Sequence, residues 1–272
     1  MIIRYLIIFF FALCTFNIAQ FDFNTLGQLP ILYDGRLQPF DNVARNGLIS
    51  IKEKTKLQRV ENNLKQTITP SQWLWEILCH NPAVFEDTIF LIHDPDIKHE
   101  LQLNDQQKYF SYSELKPLQF TLLSKALEFK DKEKPTVYEK NILQLSAKLT
   151  LFSSFTHGFI PFNDVVFGQY VKHYHASIEK ALPLFYQYNQ TGKLKSTNDE
   201  LLLIEFNQFF KQHRQFSELT PLYLYPNIAT PQDTTLWSTT GSELLKNLDP
   251  SYQTSPILRF YADLTTTYAN NQ

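Results

Sequence analysis

Cysteine is scarce in this chain, which has two among 272 residues, Cys14 and Cys79. Cys14 lies inside an apolar run near the N-terminus, so removal of that run leaves one thiol and no internal disulfide. The cysteine and histidine spacings typical of zinc sites, and the HExxH motif, are absent as well. A disulfide-stapled scaffold and a metal site of these types are therefore excluded.

Glycine is also scarce, with seven residues, whereas the 14 prolines fall mostly between periodic segments. This pattern predicts helices joined by proline-containing loops and little β-structure. The net charge of -2 gives no electrostatic basis for binding nucleic acid. There is no GxSxG, Walker or dinucleotide motif, and Ser153 and Ser154 near His157 lack an orienting acid. We therefore expect no enzymatic activity.

Residues 1–19 have the pattern of a secretory signal. Arg4 precedes an apolar run from Tyr5 to Phe16, and Ala19 is a small residue at a plausible cleavage point. The run is shorter than the ~20 residues that a membrane-spanning helix needs, although flanking residues could extend it into an uncleaved anchor. We predict an exported protein, in the periplasm or on the outer face of the inner membrane, with residues 20–272 forming a single extracytoplasmic domain.

Hydrophobic periodicity predicts a mainly α fold with a few short strands near the N-terminus and around residues 220–237. The strongest strands outside the opening stretch are expected at Asp87–His93 and in the extended, proline-containing run after Thr220. The predicted helices are Asn42 to about Lys65, Trp73–His80, Lys116–Lys130, Thr136–Thr156, Phe167–Tyr188 with a break around Pro183, a helix capped by Asn198 or Asp199 and ending near Phe216, and a final short helix after Gly241.

The stretch from Leu29 to Arg45 reads LPILYDGRLQPFDNVAR and concentrates charge in a bent piece of chain. It predicts a strand through Tyr33, a turn at Asp34-Gly35, and a helix with Asp41 as its N-cap. Two of its four charged residues are arginines, and their guanidiniums could bind an anion such as a haem propionate. Alternatively the four charged residues form a salt-bridged structural corner, which the equal number of acids and bases favours. They are Asp34, Arg36, Asp41 and Arg45.

This stretch resembles a segment near the start of the extracytoplasmic domain of system II (CcsA/ResB-type) cytochrome c assembly proteins. The shared run is LP-x-x-x-x-GR-x-x-P-x-D-x-x-A-R, which is matched by Gly35, Arg36, Pro39, Asp41 and Arg45. The helix Glu139–Phe152, and the later run of proline, loop and Trp237, are similar to features of the same family in the same order. The family's membrane helices and tryptophan-rich loop have no counterpart here.

The resemblance implies an accessory domain that docks on a multi-spanning membrane protein that handles haem, with apocytochrome c as a second partner. It implies no cofactor in the isolated domain, with haem supplied through the partner. The alternatives are an exported envelope or host-interaction protein without catalytic activity, in which the match is accidental, and an exported hydrolase.

Three histidines, His157, His173 and His175, are candidate haem ligands, because exported haem proteins use histidine as an axial ligand. His173 and His175 are two residues apart on a predicted helix and so point in different directions. Ordinary surface or capping roles are the alternative for all three. Cys79 lies in an apolar helical pattern that predicts a buried thiol, and the alternative is an exposed thiol that meets another thiol in trans.

Overall fold

The computed structural model describes residues 21–61, 64–159, 165–227, 233–249, 251–252 and 254–271. This part of the chain is mainly helical, as predicted. In chain order its helices are α1 (Phe23–Gly27), α2 (Phe40–Lys52), α3 (Pro70–Leu78), α4 (Pro82–Glu86), α5 (Pro95–Glu100), α6 (Tyr112–Leu115), α7 (Gln119–Phe129), α8 (Val137–Thr156), α9 (Phe167–Thr191), α10 (Thr197–Leu219), α11 (Thr240–Lys246) and α12 (Pro256–Asn270), with short 3-10 helices at Lys116–Leu118 and Thr234–Leu236.

The strands in the described residues form three separate antiparallel pairs. They are β1 (Pro30–Tyr33) with β2 (Arg36–Pro39), β3 (Leu57–Glu61) with β4 (Leu64–Ile68), and β5 (Phe90–Leu91) with β6 (Tyr109–Phe110). The strand expected over Asp87–His93 is thus only two residues long. The strand expected after Thr220 is reduced to two isolated bridges, at Tyr223 and Tyr225, because its prolines remove backbone donors.

Helices α3 and α8 lie at the centre of the N-terminal part of the fold. α3 is buried on all sides, and the Trp73 indole packs edge-on against the rings of Phe152 and Phe155 on α8. α8 also packs on α2 and α7. The buried apolar residues of the described chain form one continuous cluster that extends through α9, α10 and α12. Many of the aromatic residues therefore lie in this core.

The sequence of α8 explains why this helix forms as predicted. Thr136 and Glu139 make a capping box, in which each side chain accepts a hydrogen bond from the other residue's backbone N–H. The buried Ile142, Leu145 and Leu149 then recur at three- and four-residue spacing on the side that faces the core.

The predicted helix from Asn42 to Lys65 is wrong in its second half. Helix α2 ends at Lys52, because Glu53 adopts a left-handed conformation with φ 62° and its N–H bonds to the Ile49 carbonyl. The following residues form the β3–β4 hairpin. Of its apolar residues, only Leu57 and Ile68, at the outer ends of the two strands, are buried. Asp41 also lies in the first turn of α2, whereas Pro39 occupies the N-cap position.

The C-terminal half differs from the prediction at three points. Helix α9 continues through the exposed Pro183 to Thr191 without a break. Ser196, and not Asn198 or Asp199, caps α10 with its side-chain oxygen. The helix after Gly241 is followed by a longer one, α12, whose first turn begins at Pro256, a favoured position for proline.

Helices α9 and α12 approach each other closely at Gly168. A β-carbon added at this residue would lie 2.3 Å from the Ala262 carbonyl oxygen and 2.2 Å from Thr266 Oγ1. The Gly168 N–H also donates to Thr265 Oγ1 at 3.1 Å. The absence of a side chain at this position therefore sets the spacing of the two helices.

Among the helices that the structure describes, none combines the length and apolar character needed to cross a membrane. The predicted signal or anchor, residues 1–19 with Cys14, lies outside the described residues.

Candidate functional site

Strands β1 and β2 join through a tight hairpin turn at Asp34 and Gly35. Both residues have positive φ, 50° and 69°, which is the signature of a type I′ turn, and Asp-Gly is a preferred dipeptide for that turn. Nothing lies within 4 Å of a β-carbon placed on Gly35, so the turn projects into open space. The predicted turn is confirmed, and Arg36 directly follows it.

The base of this hairpin is fixed to the core. Ile31 is fully buried, and Leu32 exchanges two backbone hydrogen bonds of 3.1 Å with Tyr223. The Phe40 N–H donates to the Leu29 carbonyl at 2.8 Å, which joins the start of β1 to the start of α2. The turn is therefore held by a rigid base and presents its residues in a defined orientation.

The four charged residues of the motif separate into two pairs with different surroundings. Arg45 Nη2 lies 2.5 Å from Asp41 Oδ2, and the Ser71 hydroxyl donates to Asp41 Oδ1 at 2.9 Å. Asp41 thereby connects the first turn of α2 to α3. Asp34 and Arg36 are exposed at the turn and, within the described residues, make no side-chain hydrogen bond or ion pair.

The remaining motif residue, Pro39, ends β2 and immediately precedes α2. Its φ of -61° and ψ of 148° set the direction in which the chain enters the helix. The motif thus contains a structural corner, formed by Pro39, Asp41 and Arg45, and an exposed tip, formed by Asp34, Gly35 and Arg36. Sequence spacing alone could not separate these two parts.

The structure places the three candidate histidines in different surroundings. His173 is exposed on α9 and its Nε2 lies 2.7 Å from Glu205 Oε1 on α10. Burial lowers the pKa of His175, whose neighbour Arg259 lowers it further. His157 follows the end of α8 and lines a cleft together with His80, a histidine that no sequence pattern marks.

This histidine cleft has a volume of about 500 Å³ and lies between α4, α6 and the end of α8. The His80 ring nitrogen Nε2 is 2.7 Å from the Thr156 carbonyl oxygen, and His157 Nδ1 is 2.6 Å from the Ser153 carbonyl oxygen. Because a carbonyl only accepts hydrogen bonds, each of these ring nitrogens carries the proton. The two imidazoles are thus held in defined tautomers by the backbone of α8.

Burial lowers the pKa of both cleft histidines, and the neighbouring Lys116 lowers that of His80 further. Both imidazoles are therefore neutral near pH 7. His80 also has a positive φ of 54°, an uncommon conformation for a residue with a side chain and one found often at functional sites. No sequence signal marks this position, since a left-handed residue after a helix is usually glycine or asparagine.

The rim of the cleft carries both signs of charge. The Ser113 hydroxyl donates to Glu86 Oε1 at 2.5 Å, and the exposed side chain of Lys116 makes no hydrogen bond or ion pair within the described residues. Within the same part of the chain, no three histidine, cysteine, aspartate or glutamate side chains are grouped so that they could hold a metal ion. The cleft has the chemistry to accept a small molecule with both apolar and polar groups.

Cys79 is partly exposed as a residue, but burial raises the pKa of its thiol well above the usual value. The nearby Glu76 carboxylate raises this pKa further. The thiol is therefore protonated near pH 7 and is a poor nucleophile. This favours the buried, inert thiol over the thiol that exchanges in trans.

No family model matches this sequence, and no curated protein is significantly similar to it.

Proposed function

We propose that this chain is an exported accessory domain of cytochrome c assembly, which docks on a membrane-embedded haem-handling partner and has no catalytic activity of its own. In this proposal residues 1–19 direct export and either are cleaved or remain as a tether. Apocytochrome c is a second partner, and haem comes to the complex through the membrane partner. The proposal rests on the resemblance of the Leu29–Arg45 stretch to that family.

The exposed tip of the motif is the observation that carries the docking role. Arg36 is exposed on a hairpin whose base is buried, while Arg45 is paired with Asp41. Arginine is favoured at interfaces, because its planar guanidinium can make several hydrogen bonds to one partner. A rigid hairpin also loses little conformational entropy on binding.

Apolar surface adjoins the tip. Leu37, next to Arg36, is 49% exposed, and Tyr33, opposite Arg36 in the hairpin, is half-buried. Exposed apolar side chains beside an arginine are the composition expected of a docking surface. If the four motif charges were needed only for folding, Arg36 should form an ion pair within the fold, as Arg45 does with Asp41.

The test is a pulldown of the tagged full-length protein from its native membranes, with partner identification and haem absorbance measured on the same eluate. We expect recovery of a multi-spanning, haem-containing protein. Arg36→Ala should reduce this recovery at least about tenfold, as expected for a hot-spot residue, with a change in Tm of less than about 2 °C.

Arg214→Ala is the matched control, because Arg214 is another exposed arginine, 71% accessible in its side chain, on α10. It should recover the partner as the wild type does. Equal recovery with Arg36→Ala, or an eluate without any membrane protein, would contradict the docking proposal. A large loss of Tm in Arg36→Ala would assign that residue to folding instead.

A further inference from the structure

An apolar groove lies between α1 and α12, beside the first described residue. It has a volume of about 330 Å³, and its apolar lining comes from Phe21, Leu26 and Leu29 at one side and Phe260 and Leu264 at the other. We call this surface the Phe21–Phe260 face. It lies apart from the histidine cleft and from the Asp34-Gly35 turn, with which it shares no lining residue.

Phe260 is the most exposed of the aromatic residues of this face. It is 45% exposed, whereas Leu258, Tyr261 and Ala262 on the same helix are buried in the core. The core-facing side of α12 is therefore complete without Phe260, and the phenylalanine points its ring to the groove and solvent. Phe260 and the other apolar residues of the groove together form one contiguous apolar surface.

The polar groups of the face are already satisfied. Asp22 caps α1 by accepting hydrogen bonds from the backbone N–H groups of Asn24, at 3.0 Å, and Thr25, at 3.1 Å. The Thr267 hydroxyl donates to the Asp263 carbonyl at 3.0 Å. No lysine or arginine lines the groove. The face therefore suits an apolar occupant and offers no cation to an anionic one.

The chain that precedes the face identifies the occupant. Only Asn17 to Gln20 separate the apolar run that ends at Phe16 from Phe21. Fully extended, this connection spans at most about 18 Å, so the face stays within that distance of the end of the run. If the run enters a bilayer, the Phe21–Phe260 face is held within about 18 Å of the point of entry, close enough to reach the lipid surface.

The short length of the run gives the face a role. The apolar run alone is shorter than the ~20 residues that reach across the hydrocarbon core, and a weak membrane contact becomes stable when a second contact adds to it. We infer that the Phe21–Phe260 face is this second contact and rests on the lipid surface of the bilayer, with Phe260 inserted among the acyl chains. This inference rests on the proposed export and on retention of the N-terminal segment as a tether.

A tryptophan reporter tests this contact directly. Trp73, Trp75 and Trp237 are all buried, so a tryptophan introduced on the surface supplies the solvent-sensitive part of the emission. The full-length Phe260→Trp variant is mixed with phosphatidylcholine vesicles, with and without brominated acyl chains, and recovered by flotation. Phe120→Trp is the matched control, because Phe120 is an exposed phenylalanine, 81% accessible, on α7.

The expected result is that both proteins float with the vesicles, and that only Phe260→Trp shows a blue-shifted emission that the brominated chains quench. Phe260→Glu should weaken the association of the full chain about five- to tenfold. Flotation without quenching of Phe260→Trp, or equal quenching of both variants, would contradict the proposed lipid contact of the Phe21–Phe260 face. It would still be consistent with the N-terminal segment as a membrane tether. A full chain that does not float would overturn both the tether and the contact.

These outcomes are independent of the partner pulldown. A protein that floats and is quenched but recovers no membrane partner would support the lipid contact and contradict the docking proposal.

Discussion

The guanidinium of Arg59 binds the carboxylate of Asp87 through two hydrogen bonds, Nε to Oδ1 at 2.9 Å and Nη2 to Oδ2 at 2.7 Å. Nη2 also lies 2.7 Å from Glu76 Oε2. The side chains of both acids are 3% exposed and that of Arg59 is 11% exposed. This buried cluster joins the β3–β4 hairpin to α3 and to the end of α4.

Loss of Arg59 should therefore destabilise the protein strongly. Arg59→Met keeps the apolar stem but leaves two buried carboxylates without their cation, and we expect a loss of about 3–5 kcal/mol in the free energy of unfolding. Urea denaturation followed by circular dichroism measures this loss. Lys65→Met, at an exposed position of β4, is the control and should change the stability by less than about 0.5 kcal/mol. A similar small change in Arg59→Met would show that the cluster contributes little.

His213 should make the fold sensitive to acid. It is fully buried, its Nε2 lies 2.6 Å from the Tyr170 hydroxyl, and burial lowers its pKa to about 3. The unfolded chain has a histidine pKa near ~6.5. Between these values only the unfolded state binds the proton, so stability falls as the pH falls from about 6.5 towards 3, by up to ~1.4 kcal/mol per pH unit.

His213→Gln removes the titratable imidazole while it keeps a polar group near Tyr170. The unfolding free energy of this variant should decline less steeply between pH 6 and pH 4, because the contribution of His213 to the pH dependence is lost. Chemical denaturation at a series of pH values gives the slope. His173→Gln, which changes an exposed histidine of α9, is the control variant. An identical slope in His213→Gln and the wild type would contradict the role of His213 in acid sensitivity.

Gly168→Ala should separate α9 from α12. The added methyl group would lie 2.3 Å from the Ala262 carbonyl oxygen, a backbone atom that cannot move without shifting the helix. We expect a loss of about 2–3 kcal/mol in unfolding free energy, typical of overpacking, measured by urea denaturation. Gly35→Ala is the contrast, because nothing lies near its β-carbon and only the positive φ opposes the change. Its loss should be about 1 kcal/mol.

The helices that the sequence predicted best are those whose caps and apolar spacing agree. In α8, the Thr136–Glu139 box and the recurrence of Ile142, Leu145 and Leu149 all indicate the same helix. The segment after Lys52 was predicted wrongly, because its charged residues are compatible with a solvated helix. Its actual state depends on a left-handed Glu53 and on the burial of Arg59, which pairs with residues far along the chain.

Pro183 shows a second limit of the sequence pattern. A proline in a helix removes one backbone hydrogen bond, and this predicted a break. The helix continues because Ala181 is buried, and Leu182 and Phe185 pack against the core on either side of it. Tertiary packing therefore outweighs the local cost, and no local pattern reports it.

The candidate sites were predictable to different extents. The Asp34-Gly35 turn and its neighbour Arg36 follow from the dipeptide alone. The separation of Arg36 from the Asp41–Arg45 pair depends on Ser71, which comes from another helix. His80 and His157 line one cleft although they follow the ends of two different helices, α3 and α8, and the left-handed conformation of His80 gives no signal in the sequence.

The rings of Phe21 and Tyr268 lie 5.3 Å apart, and the Tyr268 hydroxyl accepts a hydrogen bond of 3.0 Å from the Asn81 amide. The two extremes of the described fold thus meet against α3. A circularly permuted chain could join them by a short flexible linker and open instead at Gly192, where the loop between α9 and α10 is exposed. In the natural order, by contrast, α1 can complete its packing against Tyr268 only after α12 has been synthesised.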